Sequence, residues 1–158
     1  MIKPTRTAIA ALAISAATLV GIATQEGYVE VAAPPVKGDV PTNGFGATKG
    51  VKAGDRTTPV RALVRLLNEA DEHAQGVKRC APVPMFQHEF DAYVSLTYNI
   101  GVGAFCSSTL TRKLKAGDYA GACREILKWD KFQGRPLRGL TTRRQAEYRQ
   151  CIGETKGE

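Results

Sequence analysis

An uncharged stretch of 18 residues, Thr7 to Thr24, follows two cations, Lys3 and Arg6, and is followed almost at once by a single carboxylate, Glu26. No other segment constrains the chain so tightly. Wound as one helix it would measure about 27 Å, close to the thickness of a bilayer core. It is only weakly apolar, because 7 of the 18 residues are Ala and 5 are Gly, Ser or Thr. Those residues contribute little to insertion, where Leu or Ile contribute several tenths of a kcal/mol each. A basic flank before such a run is the layout of a secretory signal. Gly21 and Ala23 also stand at small-residue positions suited to cleavage before Thr24. A cleaved signal, a permanent anchor and a temporary anchor all fit, and all three export the chain. An ordinary core helix leaves the basic flank unexplained.

The cysteines point to the same compartment. Cys80, Cys106, Cys123 and Cys151 are even in number and form no C-x-x-C pair. This argues for two disulfides in an oxidising environment and against zinc or a thioredoxin-like site. Four cysteines allow three pairings, and spacing alone does not choose. The 158 residues suffice for one domain with a core. The net charge of +7 suits a polyanionic partner. Export and paired cysteines favour a bacterial envelope polymer over nucleic acid.

Residues 27–52 are rich in Gly, Pro, Val and Thr and read as short strands and turns. Helical patterns follow. Thr58-Pro59 forms an N-cap and N1 pair, and Val60, Leu63, Val64 and Leu67 keep helical spacing until Gly76. A second helix is expected from about Pro84 to Asn99, with Phe86, Phe90, Tyr93, Val94 and Leu96 as its apolar stripe. Ser107 is expected to cap a third, stopped by Gly117, and Asp118 a fourth that includes Trp129. A fifth begins near Thr141 or Thr142 and ends at Gly153. The expected class is α+β: one helix, a small sheet, then a helical lobe.

A carboxyl group just after an apolar helix can be partly desolvated, which keeps it protonated near neutral pH, as a general acid requires. Glycoside hydrolysis needs a second group to place water, and Glu30, Asp39 and Thr42 are the nearby candidates. His73 and His88 are lone histidines without clustered carboxylates, so no metal site is expected. Trp129 and Phe132 read as packing residues before sugar platforms. Arg143 and Arg144 read as ties for the last helix.

Several blocks occur together and in order: EGY at 26–28, DVPTNGFGAT at 39–48, FDAYVSLTYNIGVGAF at 90–105, STLTRKLKAGDYAGAC at 108–123, Trp129, and GLTTRRQAEY at 139–148. With them, residues 26–152 resemble the phage endolysins of the lysozyme type, glycoside hydrolase family 24. The resemblance implies a lysozyme-like fold and cleavage of the β-1,4 bond between N-acetylmuramic acid and N-acetylglucosamine in peptidoglycan, causing host lysis without a cofactor. Glu26 matches the catalytic acid of the family, and Thr42, with Gly46 and Thr48, matches the threonine that helps hold the attacking water. The family's aspartate falls where this chain has Val36 and its neighbours, so Asp39 is assigned to the pair in its place. Without Asp39, Glu26 alone would support a lytic transglycosylase. Loss of both would leave a membrane-tethered cell-wall-binding module. Asn99 lies in a block that faces or supports the cleft in relatives, as a sugar contact or a buried helix-end cap.

A helical hairpin through the Ala116-Gly117 turn would pair Cys106 with Cys123 and leave Cys80 for Cys151. In this fold the catalytic Glu ends a helix that belongs to the domain, and only the export run can supply it. Residues 1–25 are therefore expected to be a signal-anchor-release segment and 26–158 the catalytic domain. The expected chain is a monomer, tethered by residues 7–24 to the inner membrane facing the periplasm and then released.

Overall fold

The computed structural model describes residues 5–154. The chain divides into two compact units. Ala16–Asp71 forms one, and the residues up to Ser15 together with those from Glu72 form the other.

The first unit opens with helix α1, Ala16–Glu26, which ends on the carboxylate. Gly27, at φ 70°, stops it, its N–H donating to the Ala23 carbonyl at 3.0 Å. Strand β1, Val29–Ala33, then pairs antiparallel with β2, Thr42–Gly44. Val29 lies opposite Gly44 and Ala33 opposite Thr42, with an irregularity between them. The other edge of β1 is closed by residues 54–57, through Ala32 N–H to the Asp55 carbonyl (2.8 Å) and Thr57 N–H to the Glu30 carbonyl (3.0 Å). Helix α2, Pro59–Cys80, follows, with the Thr58 hydroxyl accepting the Arg61 N–H at 3.4 Å as the Thr-Pro pair predicts.

The other unit is built round α3, Gln87–Ile100, whose residues 89–97 are buried on every side. A helix buried all round carries partners for its polar residues. Glu89 takes the Phe86 N–H and a bidentate Arg6, Asp91 takes the Ser15 N–H, and the Ser95 hydroxyl donates to Glu147. Around it lie α4 (Val102–Ser107), α5 (Thr109–Lys115), α6 (Tyr119–Ile126), the two-residue strands β3 (Lys131–Phe132) and β4 (Arg135–Pro136), and α7 (Arg138–Cys151). Asp118 caps α6 as expected, accepting the Gly121 N–H at 2.8 Å. The expected caps at Ser107 and at Thr141 or Thr142 are corrected. Ser108 takes the Thr111 N–H, and α7 starts three residues earlier.

Three further corrections have clear causes. Gly76 does not end α2, because it is a contact point: a Cβ there would lie 2.6 Å from a Val102 methyl. The export run is not one 18-residue helix. Thr7 exchanges two backbone hydrogen bonds with Met85, each 2.9 Å, a 3₁₀ turn spans Ile9–Ala11, and α1 takes only 11 residues. Leu12 is buried in the core of the helical unit, with Ile9 and Ile14 packed against it. Among the described residues, no helix is long and apolar enough to cross a membrane.

The disulfides join Cys80 to Cys106 and Cys123 to Cys151, not Cys106 to Cys123 and Cys80 to Cys151. Cys106 lies on α4, a helix of its own, and not on the arm that pairs with α6. The Gly76–Val102 contact brings the start of α4 against the last turns of α2, and the Cα atoms of Cys80 and Cys106 lie 5.2 Å apart. The α5–α6 hairpin leaves Cys123 facing Cys151 at the end of α7, at 5.7 Å.

Candidate functional site

Glu26 is half-buried at the C-terminus of α1, and what faces it is a tight loop. Asn43 and Ala47 exchange backbone hydrogen bonds (3.2 and 2.9 Å), forcing residues 44–46 into a narrow turn. Gly44 and Gly46 take left-handed φ values of 60° and 82°, which glycine alone adopts at little cost. Gly46 comes so near the carboxylate that a Cβ on it would sit 3.4 Å from Glu26 Oε2. Gly44 anchors the loop from behind, since a Cβ there would be 3.0 Å from the Ala62 Cβ on α2. Tyr28 braces the side, its ring 5.6 Å from that of Phe45 and its hydroxyl donating to the Thr57 carbonyl at 3.1 Å. Sequence reading marked Gly46 only through the Thr42-Gly46-Thr48 pattern and missed the Tyr28–Phe45 brace.

Thr42 begins β2, half-buried, opposite Ala33. Asp39 lies in the loop between β1 and β2, with an exposed side chain, and its N–H closes a turn on the Val36 carbonyl at 3.0 Å. Glu30 is committed elsewhere, in an exposed ion pair of 2.6 Å with Arg56. A cavity of 240 Å³ bordering the same loop is walled by Phe45, Ala47, Arg61 and Leu66 among others, but not by Glu26, Asp39 or Thr42.

Asn99 belongs to the helical unit, exposed in the last turn of α3. It is not a buried cap, because Gly101, at φ 89°, ends that helix. The histidines have structural surroundings. His73 meets the Tyr98 ring at 5.1 Å, and His88 stacks on Phe86 with Nδ1 3.1 Å from the Cys151 carbonyl. Trp129 packs against the core and Phe132 is exposed beside the Gln133-Gly134 turn. Among the described residues no group of three or more His, Cys, Asp or Glu is placed to hold a metal ion.

Arg144 and Glu147 do tie α7 in place. Both are buried, at 0 and 2% exposure, with Arg144 Nε 2.7 Å from Glu147 Oε2. Burial lowers the proton affinity of Arg144 and raises that of Glu147, each opposed by the other's charge. Ser95 and Arg143 complete the carboxylate's shell at 2.8 and 3.3 Å. Beside them the buried Tyr93 hydroxyl lies 3.3 Å from Cys151 Sγ, and burial pushes its phenol up.

Known proteins match this chain over most of its length. Residues 23–147 match the family described as phage lysozyme. The chain is 41% identical over 110 residues to an endolysin of Acyrthosiphon pisum secondary endosymbiont phage 1, spanning 67% of this chain and 75% of that one. It is 31% identical over 145 residues to a SAR-endolysin of Enterobacteria phage P21, spanning 90 and 88%. An endolysin structure from Escherichia coli O157:H7 phage FAHEc1 superposes with a TM-score of 0.81 at 30% identity, covering 94% of this chain and 98% of that one. Matches to the endolysins of Bacillus phages B103 and PZA span 35% of those longer proteins.

Proposed function

The chain belongs to the phage lysozyme family, and from that premise we propose that Glu26 is the general acid of this peptidoglycan hydrolase, an endolysin that lyses its host. The observation that carries the assignment is the contact of the Glu26 carboxylate with Gly46. A carboxyl group that ends a helix beside a tight glycine turn has its position set by backbone, as a positioned acid requires.

In the proposed reaction, Glu26 donates its proton to the glycosidic oxygen as the bond from C1 of N-acetylmuramic acid to O4 of N-acetylglucosamine breaks. A water held by Thr42 and Asp39 attacks C1 from the opposite face, and its proton passes to Asp39. The product sugar has a reducing end and inverted configuration. Asn99 contributes a sugar contact. A second reading is favoured by the exposed turn that holds Asp39. If that carboxylate does not reach the water, the 6-hydroxyl of the sugar attacks instead and leaves a 1,6-anhydro end.

The proposed location is the periplasm, reached through a tether in the inner membrane. Residues 1–25 act as an anchor that leaves the bilayer, and 26–158 as the catalytic domain. The folded positions of Thr7 to Ser15 support this, since cleavage before Thr24 would remove the Thr7–Met85 pairing, Leu12 and most of α1.

Inducible expression of wild type beside Glu26→Gln tests the acid. Lysis by wild type alone is expected, and lysis by both would remove Glu26 from the mechanism. Mass spectrometry of the digested wall separates the two chemistries, with reducing ends expected and anhydro ends assigning the transglycosylase route. A mature N-terminus at Thr24 would refute the release step.

A further inference from the structure

Arg6 directly precedes the uncharged N-terminal run, and in the fold its side chain is seated in the helical unit. Its Nε and Nη2 donate to Oε2 and Oε1 of Glu89 at 3.0 and 2.7 Å, a fork that matches a planar guanidinium to a carboxylate. The guanidinium carbon also lies 3.6 Å from the centre of the Tyr119 ring and 4.6 Å from that of Phe86. Aromatic faces attract cations, and guanidinium stacks on them as an ammonium does not. Tyr119 is fixed by its hydroxyl, which donates to the Pro84 carbonyl at 2.8 Å. The Glu89 side chain is only 4% exposed. Without Arg6 it would keep the Phe86 N–H, at 2.9 Å, and no cation among the described residues. A buried carboxylate left in that state is strongly destabilising. Thr7, Ala13 and Ser15 are tied through their backbone groups, which almost any residue supplies. Arg6 is held by the chemistry of its side chain.

We propose that Glu89, Phe86 and Tyr119 form a receiving site for the guanidinium of Arg6, empty while the N-terminal run lies in the membrane and filled when the run leaves it. This rests on the tether-and-release reading given above. In the tethered state the basic flank stays on the cytoplasmic side, a bilayer core of about 30 Å from a domain in the periplasm. The site can then be occupied only after release, so its whole interaction favours release. Lysine at the same position would present the membrane with the same positive charge but would lose the fork and the stacking. Insertion and capture therefore read different properties of one residue.

Full-length wild type, Arg6→Lys and Glu89→Gln, expressed inducibly and followed by membrane and soluble fractionation over time, test the site. Wild type should pass from the membrane to the soluble fraction. Arg6→Lys should insert equally well, while its ratio of released to tethered protein falls at least about 10-fold, the equivalent of about 1.4 kcal/mol. Glu89→Gln should show a similar fall, and the double variant no further loss, because either change alone already breaks the pairing. Once purified from the soluble fraction, Arg6→Lys should digest isolated peptidoglycan at the wild-type rate. A matching loss of activity there would make the pair an ordinary structural tie and overturn the receiving role. Single variants that leave the membrane on the wild-type schedule would overturn the site while the tether stands. So would losses that add in the double variant. Wild type found soluble from the first time point would remove the tether, and the proposal with it.

Discussion

Gly46 meets two demands at once, a left-handed backbone and a close approach to Glu26 Oε2. Alanine there is strained by the backbone, while its methyl would lie at ordinary van der Waals distance from the carboxylate. Left-handed φ disfavours any Cβ by about 1–2 kcal/mol, and relief of that strain would move the turn beside Glu26. Gly46→Ala should therefore lower the melting temperature by a few degrees and reduce kcat/KM by at least about 10-fold, the rate equivalent of 1.4 kcal/mol. Unchanged kinetics with purified peptidoglycan would show that Glu26 does not depend on this wall. Glu125 offers a separate test, through acid. Lys113 and Lys128 donate to its carboxylate at 2.7 and 2.9 Å and hold it below the usual carboxylate range. The unfolded chain then takes up that proton at a higher pH than the folded one. The pair's stabilisation is thus fully present above the ordinary carboxylate value and is lost as pH falls through the lower folded value. Urea melts from pH 6 to pH 3 should fall less steeply for Glu125→Gln than for wild type. At this scale the place of Glu26 at the end of a helix was legible as a local pattern, while its candidate role came from the family resemblance. Asp39 was less legible, since its aim depends on the irregular β1–β2 loop.

Elements were read best where one side chain settles the matter within a turn. Thr58 and Asp118 cap their helices because a hydroxyl or carboxylate reaches the N–H three residues on whatever lies around it. Gly76 was misread because a glycine that stops a helix and a glycine that admits a neighbour look alike in sequence, and the neighbour, Val102, is 26 positions away. The same omission hid α4 and with it the disulfide pairing. The valine is β-branched and stiff, so it cannot swing aside. Gly76→Ala should accordingly destabilise the protein by about 1–3 kcal/mol through overpacking, even though alanine is the better helix former. Adding Val102→Ala should return part of that loss, and a double-mutant cycle in urea measures the coupling. Additive effects would mean that the two positions do not touch. Periodicity likewise identified the Val60–Leu67 face of α2 but not whether anything covers it, because coverage is decided by distant segments.

At the scale of the whole molecule, the proposed release route asks the N-terminal run to satisfy two environments. In lipid it needs length and apolarity; in the folded chain it is broken at Leu12–Ser15, with its first half seated in the helical unit and its second half forming α1. Sequence shows the first requirement and not the second, since the break depends on Met85 and Asp91, far along the chain. The two requirements can be separated by choosing positions that only lipid would feel. Ala10, Ala13, Ala16 and Ala17 are exposed in the fold, so leucine at these sites adds bulk where nothing is packed. In a bilayer each replacement favours insertion by about 0.5 kcal/mol, and four together by about 2 kcal/mol, which shifts a release equilibrium roughly 30-fold towards the membrane. The quadruple variant should digest isolated peptidoglycan as wild type does once purified. In cells it should stay in the membrane fraction and delay or abolish lysis. Lysis on the wild-type schedule would mean that escape from the bilayer does not limit the enzyme. Loss of activity in the purified variant would instead mean that the four positions matter to the fold, and would leave release to be tested at Ala8 and Ala11, which are exposed as well.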